Sequence, residues 1–483
     1  MKLHQAWQHG KAASDRTVAT VFPHHAGWGE SPGEASSSTQ RACERGSVLV
    51  IVLWIAFGLV SIALYFGHSM FFEFRASDNN VAGVEAEQAI EGAARYVSCT
   101  LTNLVDAGQM PEIETYEREE VALGDATFWL IGRANSETQS AVPFFGLIDE
   151  ASKLNLNTAT LEMLQALPRM TSQLAAGIID WRDTNSEATV NGAESETYQA
   201  RNPAYSCKNA DFESVEELRL VFGADPLILY GEDYNRNGIL DANENDADLS
   251  PPSDNRDSRL DLGILDYVTV YSGEPNVRTN GSPRISVSGD GQTELPQLLQ
   301  EKFGQARATE IQQQIQATGG TYGSVLEFYL RTKMKPDELA QIEGDLTVTN
   351  ATYIPGLINV NTASAAVLAC VPGIGPDKAS QVVASRQSQG GNLTSMAWVT
   401  QALDEASVVQ AGPYLTSRCY QFTADIAAVG HHGRGYRRTQ FVFDTSEGKP
   451  KIIYRRDLSR LGWALGIQAR ERMELAQLNQ KNR

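Results

Sequence analysis

The 483-residue sequence has little cysteine and no arrangement of it that binds metal. Cys43, Cys99, Cys207, Cys370 and Cys419 are widely scattered, with no C-x-x-C pair, which argues against a zinc site. Disulfides are permitted if the body is exported, and spacing alone selects no pairing. Positive charge is also short. Forty Lys and Arg stand against 59 Asp and Glu, a formal net charge of -19, which is the wrong sign for a chain that coats nucleic acid. No G-x-S-x-G, H-E-x-x-H or P-loop occurs, so no catalytic machinery is expected. Long apolar runs are missing too, with one exception.

That exception is "ERGSVLVIVLWIAFGLVSIALYFGHSMFFEFR", residues 44–75. No Asp, Glu, Lys or Arg lies between Arg45 and Glu73, and about 20 such residues suffice for a helix to cross a bilayer. Arg41 and Arg45 flank its start, which keeps that end cytoplasmic and sends the bulk of the chain outward. A secretory signal fits poorly, because its apolar core is only about 7–15 residues and ends at a small-residue cleavage site. Helical spacing continues beyond the apolar stretch through Ala82, Ala86, Ala89, Ala93, Tyr96 and Val97, which predicts one helix from about Ser47 to about Leu104. A lipid-buried first half and a packed second half resemble a type IV pilin-like subunit. In that family prepilin peptidase cuts after the Gly corresponding to Gly46, so the mature chain would begin at Ser47.

One departure from the pilin pattern is informative. Most pilin-like proteins carry Glu as the fifth mature residue, where this chain has Ile51. A carboxylate in a membrane persists only with a partner, which in pilins is the neighbouring subunit's amino terminus. An apolar fifth residue on a bulky body implies a tip subunit that need not follow another.

Two segments of the body repeat: "LNLNTATLEMLQALPRMTSQLAAGIIDWR" from Leu154 and "INVNTASAAVLACVPGIGPDKASQVVASR" from Ile358. Asn157 and Asn361 each precede a Pro by eleven residues, and Pro168 and Pro372 each precede an Arg, Arg182 or Arg386, by fourteen. Each copy reads as helix, tight turn, helix, with Thr158 or Thr362 as the expected N-cap. "PGIGPDKA", with Gly373 and Gly375 in the turn, matches the helix-hairpin-helix pattern. DNA binding through that turn would need cations to neutralise phosphates. Only Lys378 and Arg386 lie between Pro355 and Gly390, and Asp180, Asp183 and Glu187 follow the first turn.

The most chemical stretch is "DYNRNGILDANE". Read as a twelve-residue calcium loop, it offers the side chains of Asp233, Asn235, Asn237, Asp241 and Glu244 and the carbonyl of Ile239, with Gly238 at the sharp turn. Asp180, Asp183, Glu194 and Glu196 form a less regular second candidate. "PPSDNRDSRLDLG", 251–263, reads as a solvated linker, and Arg434, Arg437, Arg438 and the C-terminal tail as solvated faces. His431 and His432 read as a plain exposed turn.

Taken together, "FFGLIDEASKLNLNTA", "IIDWRD", "NGAESETY", "SVEELRLVFG" and the closing strands "CYQFTADIAAVG" and "TQFVFDTSEGKPKIIYRRD" resemble the minor pseudopilin K family of type II secretion systems. The resemblance covers most of 45–223 and 355–457, while 251–350 matches less well and the leader is unusually long. It implies an α+β fold, with a pilin-like long N-terminal helix on a small antiparallel sheet and a large inserted helical domain containing two helix-hairpin-helix-like (SAM-like) units. The expected organisation is a removed leader (1–46), a transmembrane half-helix (47–72), and the soluble half-helix with the first strands (73–148). An inserted helical domain (149–350), a second hairpin unit (351–412), and C-terminal strands and tail (413–483) follow. The resemblance also implies a non-enzymatic subunit of the inner membrane with its body in the periplasm, Ca2+ in the insert, and processing by prepilin peptidase. Its partners would be the minor pseudopilins I and J and other pseudopilins, with the outer-membrane secretin or secreted cargo as further contacts. A pilus-tip or DNA-uptake protein and a membrane-anchored calcium-dependent adhesion protein are the alternatives.

Overall fold

The computed structural model describes residues 45–104, 107–133, 143–247, 249–390 and 393–481. The leader expected at 1–46 lies outside the described residues up to position 44, and the side chains at 45–47 are likewise not described. Two units divide the chain at Phe71/Phe72. The helix α1 (Arg45–Thr102) runs through the division. In the first unit, every side chain from Val48 to Phe71 is exposed, as expected of a helix whose solvent is hydrocarbon. By length and composition it can cross a membrane, the one such helix among the described residues.

In the second unit the same helix becomes one-sided. Ala82, Ala86, Ala89, Ile90, Ala93, Ala94, Val97 and Leu101 are buried, at spacings of three and four that put them on one face. Tyr96, expected on that face, is half-buried, and its hydroxyl accepts the Glu117 amide at 2.7 Å. The alanines let the helix lie close on the sheet, packing against Phe128, Leu130, Ala424, Ile426, Ala428, Phe441 and Phe443.

The sheet is built from β1 (Val121–Leu123), β2 (Ala126–Ile131), β3 (Ile148–Asp149), and, after a long excursion, β12 (Gln421–Gly430), β13 (Arg434–Asp444) and β14 (Lys451–Asp457). Its order is β1-β2-β12-β13-β14, with β3 also on β12, all antiparallel. A turn at Glu447-Gly448 joins β13 to β14, with Gly448 at φ +84°. All ten residues of β12 are buried. Its second face meets Trp129, Ile131, Phe145, Ala464 and Leu465.

Between β3 and β12 lies the helical insert. Its remaining strands are β4 (Leu154–Asn155), β5 (Val268–Thr269), β6 (Gly273–Pro275), β7 (Ile285–Ser286), β8 (Leu346–Thr347), β9 (Tyr353–Pro355), β10 (Ile358–Asn359) and β11 (Leu415–Thr416). Three short parallel pairs, β4/β5, β7/β8 and β10/β11, each bracket one helical unit. The antiparallel pair β6/β9 ties the segments linking the units. One continuous apolar core runs through all three.

The duplicated landmarks do the same work in both copies. The Arg182 guanidinium donates to the carbonyls of Leu156 and Ala159, and Arg386 donates to Val360 (3.0 Å) and Ala363 (2.6 Å). Each Arg thus closes the turn that enters its first helix. Asn157 exchanges two hydrogen bonds with Phe212 (2.8 and 3.0 Å), and Asn361 donates to the Leu393 carbonyl at 2.9 Å. The N-caps differ from expectation. Thr160 and Ser364 accept the Met163 and Val367 amides, so the helices begin two residues later than Thr158 and Thr362 suggested. Thr362 instead donates to Asp149.

The 285–347 unit is a third copy that the sequence reading missed. Ser286 and Ser288 stand where the other copies have Asn. The Ser286 hydroxyl accepts the Ser288 amide (3.3 Å), and the Ser288 hydroxyl accepts the Tyr322 amide (2.9 Å), the contacts that Asn155 and Asn157 make in the first copy. The Pro and Arg landmarks are absent, and a long helix (Leu295–Ala317) broken at Gly304 (φ +77°) replaces the short pair.

Candidate metal centres

The expected calcium loop folds as a series of side-chain-capped turns. It follows the helix Pro226–Tyr230, and Gly231 packs so tightly that a Cβ there would lie 2.2 Å from the Asp261 carbonyl. Asp233 is fully buried, and its carboxylate accepts the amides of Asn237 (3.0 Å) and Gly238 (2.8 Å). The Asn235 side-chain oxygen accepts the Asn237 amide (3.0 Å), and that of Asn237 accepts the Ile239 amide (2.9 Å). Glu244 accepts the amides of Tyr234 (2.9 Å) and Asp241 (3.0 Å), while Asp241 takes the Asn235 and Asn237 side-chain amides (2.6 and 3.1 Å). Gly238 sits at φ +76°, as a residue at the sharp turn must.

Burial pushes the Asp233 carboxyl up to about 6, with Asp266 adding repulsion, and pushes Glu244 up to about 8. These are buried carboxylates lacking sufficient counter-charge. Each retains lone pairs beyond its amide bonds, so the oxygen set fits a hard cation such as Ca2+. The loop does not, however, gather its three carboxylates into one tight trio among the described residues. The Glu244 carboxylate instead caps the Asp241 amide, and the Glu244 amide returns to the Asp241 carbonyl.

The second candidate is tighter. Asp180, Asp183 and Glu194 bring one carboxylate oxygen each within 4.8 Å of the others, and Glu196 is not part of the group. Asp180 and Asp183 come from the end of the helix Ser172–Arg182, and Glu194 precedes the helix Ser195–Gln199. Asp180 is fully buried and accepts the Thr189 amide at 3.0 Å. Among the described residues both oxygens of buried Glu194 lack a hydrogen-bond partner, and burial, then Asp180 and Asp183, raises its pKa. A Cβ at position 192 would sit 1.9 Å from Asp180, so only Gly192 admits this approach. An orphaned carboxylate facing two others is the chemistry of a cation site.

Of the two glycines in the turn of the second hairpin, Gly375 faces open space and Gly373 is covered. A Cβ at Gly373 would strike the Gln410 side chain at 2.7 Å, because the helix Glu405–Ala411 covers the turn. Lys378 is already paired with Asp404 at 2.7 Å. The stretch 251–263, read as a solvated linker, packs beside the calcium loop: Glu232 accepts the amides of Asn255 (3.2 Å) and Asp261 (3.1 Å).

The basic run is corrected most sharply. Arg438 is not a solvated residue but fully buried, held by Asp425 at 2.8 and 2.5 Å. Arg434 pairs with Asp78, and Arg437 with Glu87 at 3.1 Å. His431 lies between Asp78 (2.9 Å) and Glu85 (2.6 Å), whose hydrogen bonds raise its pKa. The partners of His431, Arg434 and Arg437 lie some 350 positions away in the chain, so no local signal announces them. Four cysteines, Cys99, Cys207, Cys370 and Cys419, are free thiols, and Cys43 lies outside the described residues.

A long helix, apolar along its first half and packed on an antiparallel sheet along its second, makes an α+β chain with a three-unit helical insert. The insert carries two matches to known families. Residues 149–230 match the family model of Type II secretion system (T2SS), protein K, and 356–397 match that of the helix-hairpin-helix motif. The Type II secretion system protein K of Klebsiella pneumoniae is 34% identical over 95 residues, which are 20% of this chain and 27% of that protein. The match therefore spans about a quarter of that relative's length. The solved GspK-GspI-GspJ complex from the enterotoxigenic Escherichia coli Type 2 Secretion System aligns over 77% of this chain and 98% of that chain. Its identity is 10% and its TM-score 0.37.

Proposed function

We propose that the chain is a minor pseudopilin at the tip of a type II secretion pseudopilus, where it helps initiate pseudopilus assembly and protein export across the outer membrane. The observation that carries this reading is the protein K match over 149–230, located within an insert between strands of a pilin-like sheet. The chain is single-pass in the inner membrane with its body in the periplasm, and its role is structural rather than enzymatic. Ile51 removes the carboxylate with which a pilin docks onto the subunit before it, which suits a subunit that has none before it. Its companions are the minor pseudopilins I and J. Co-expression of the three soluble bodies tests this. A 1:1:1 species by size exclusion and native mass is expected, and independent elution of this chain would overturn the reading.

Ca2+ binds in the insert. Asp180, Asp183 and Glu194 would hold one ion, and Asp233, Asn235, Asn237, Asp241 and Glu244, with the Ile239 carbonyl, a second. The cation supplies the counter-charge that these buried carboxylates lack and locks the insert's loops into one shape. Calorimetric titration should count two equivalents, and Asp183→Asn should remove one. An unchanged count would exclude the first site.

A further inference from the structure

The 233–244 loop is gripped from outside by a buried charge pair in the sheet. Arg438 on β13 and Asp425 on β12 are 0% and 2% exposed. While Asp425 holds one edge of the guanidinium, its Nη1 donates to the Asn235 carbonyl and its Nη2 to the Arg236 carbonyl at 2.7 Å. Arg133 donates to the Arg236 carbonyl as well (2.9 Å) and is itself held by Asp266 at 3.2 Å. The Asn235 side-chain amide reaches the Trp463 carbonyl at 3.1 Å.

These contacts orient the loop's ligand cradle. A trans peptide points its C=O and N–H in opposite directions. With the Arg236 carbonyl turned toward Arg438 and Arg133, the Asn237 N–H must face the other way, where it meets the carboxylate of Asp233 and the side-chain oxygen of Asn235, each at 3.0 Å. Arg236 accordingly adopts φ +56°, a conformation a non-glycine residue keeps only when its surroundings impose it. The anchor is nearly neutral as a unit, because Asp425 cancels the Arg438 charge, so it fixes geometry with little net repulsion of a cation.

We propose that the buried Arg438–Asp425 pair is the positioning element of the 233–244 loop and couples divalent-cation binding there to docking of that loop on the sheet. The inference rests on the reading that this loop holds a divalent cation. Coupling is reciprocal: the anchor raises the loop's affinity, and the cation in turn tightens the loop against β12 and β13.

The test is calorimetric titration of Ca2+ into the full chain in detergent micelles. Four proteins are compared: the parent, Asp233→Asn, Arg438→Lys, and the double variant Arg438→Met/Asp425→Leu, which replaces the pair with apolar groups rather than orphaning one charge. Asp233→Asn identifies the loop's ion by removing one equivalent. That ion should bind 10–100-fold more weakly in both anchor variants, the range seen when outer-shell partners of metal ligands are lost. Lys keeps the charge but cannot fork between two carbonyls and a carboxylate, so a variant folded with its pair intact still reads the effect. The rise in melting midpoint on adding Ca2+ should shrink in the anchor variants, whereas a purely structural role would lower the midpoint equally with and without Ca2+. If Asp233→Asn removes no ion, the calcium-loop reading fails. If it removes one ion and the anchor variants bind that ion as tightly as the parent, or more tightly, the loop stands and the positioning role is overturned.

Discussion

Single residues in this chain serve as joints between distant segments, and Asp149 is the densest of them. At the end of β3 its carboxylate accepts the Ala151 amide (2.7 Å), the Asn359 side chain (2.8 Å) and the Thr362 hydroxyl (2.5 Å), joining the sheet to the 358–416 unit. Its neighbour Glu150 accepts the hydroxyls of Thr269 (2.5 Å) and Thr423 (2.7 Å), joining the 154–269 unit to β12. Burial pushes Asp149 up to about 7. A carboxyl raised above its unfolded value binds a proton on folding, so its contribution is fully present below about pH 4 and is lost as pH rises through about 7. Stability should fall across that window by an amount on the order of 2–4 kcal/mol. In urea unfolding, Asp149→Asn should flatten the pH 4–7 slope while lowering stability at pH 5, because its amide faces the Asn359 donor. An unchanged slope would show that another group titrates. Little of this is legible in sequence. Asn157, Asn361, Arg182 and Arg386 could be found because they recur at fixed spacing. Asp149, Arg438 and His431 could not, because their partners are reached only through the fold.

At the scale of elements, the helix-on-sheet joint depends on the absence of side chains. Gly430 and Gly435 lie directly against the backbone of Ala82, where a Cβ would come within 2.2 and 2.3 Å. The periodicity of Ala82, Ala86, Ala89 and Ala93 was readable because a packed helix repeats its buried face every three to four residues. The glycines opposite were not readable, since a glycine in a strand looks the same whether it bends the strand or makes room. Gly430→Ala, with no unusual backbone angle to complicate it, should lift the helix end and lower the melting midpoint of the body. Loss of order about 3 kcal/mol is expected for such backbone overpacking. Hydrogen exchange should accelerate at the amides around Ala82, and a midpoint within a degree of the parent would contradict the contact. Around the same joint, Asp78, Glu85, Glu87 and Glu91 on the helix face His431, Arg434, Arg437 and Arg455 on the hairpin. The third helical unit escaped notice for a related reason. Serines can make the asparagine contacts in its entry turn, and its helix Leu295–Ala317 has no counterpart length in the other copies. The hydrogen-bonding job persisted where the residue type did not.

At the scale of the whole molecule, an apolar half-helix, an antiparallel sheet and a three-unit insert make up the chain, an arrangement that suits the proposed tip subunit. The apolar run and the two marked repeats carried most of this in the sequence, because hydropathy and repetition survive without knowledge of contacts. The insert's internal geometry, including the cover over the Gly373 turn, became visible only in three dimensions. The central claim is that the opening apolar run belongs to a prepilin-like chain. It is tested most directly by the intact mass and N-terminal sequence of the protein extracted from membranes, with and without prepilin peptidase. A mature end at Ser47 that appears only when the peptidase is present is the expected result. A chain that retains residues 1–46 in both cases would contradict it.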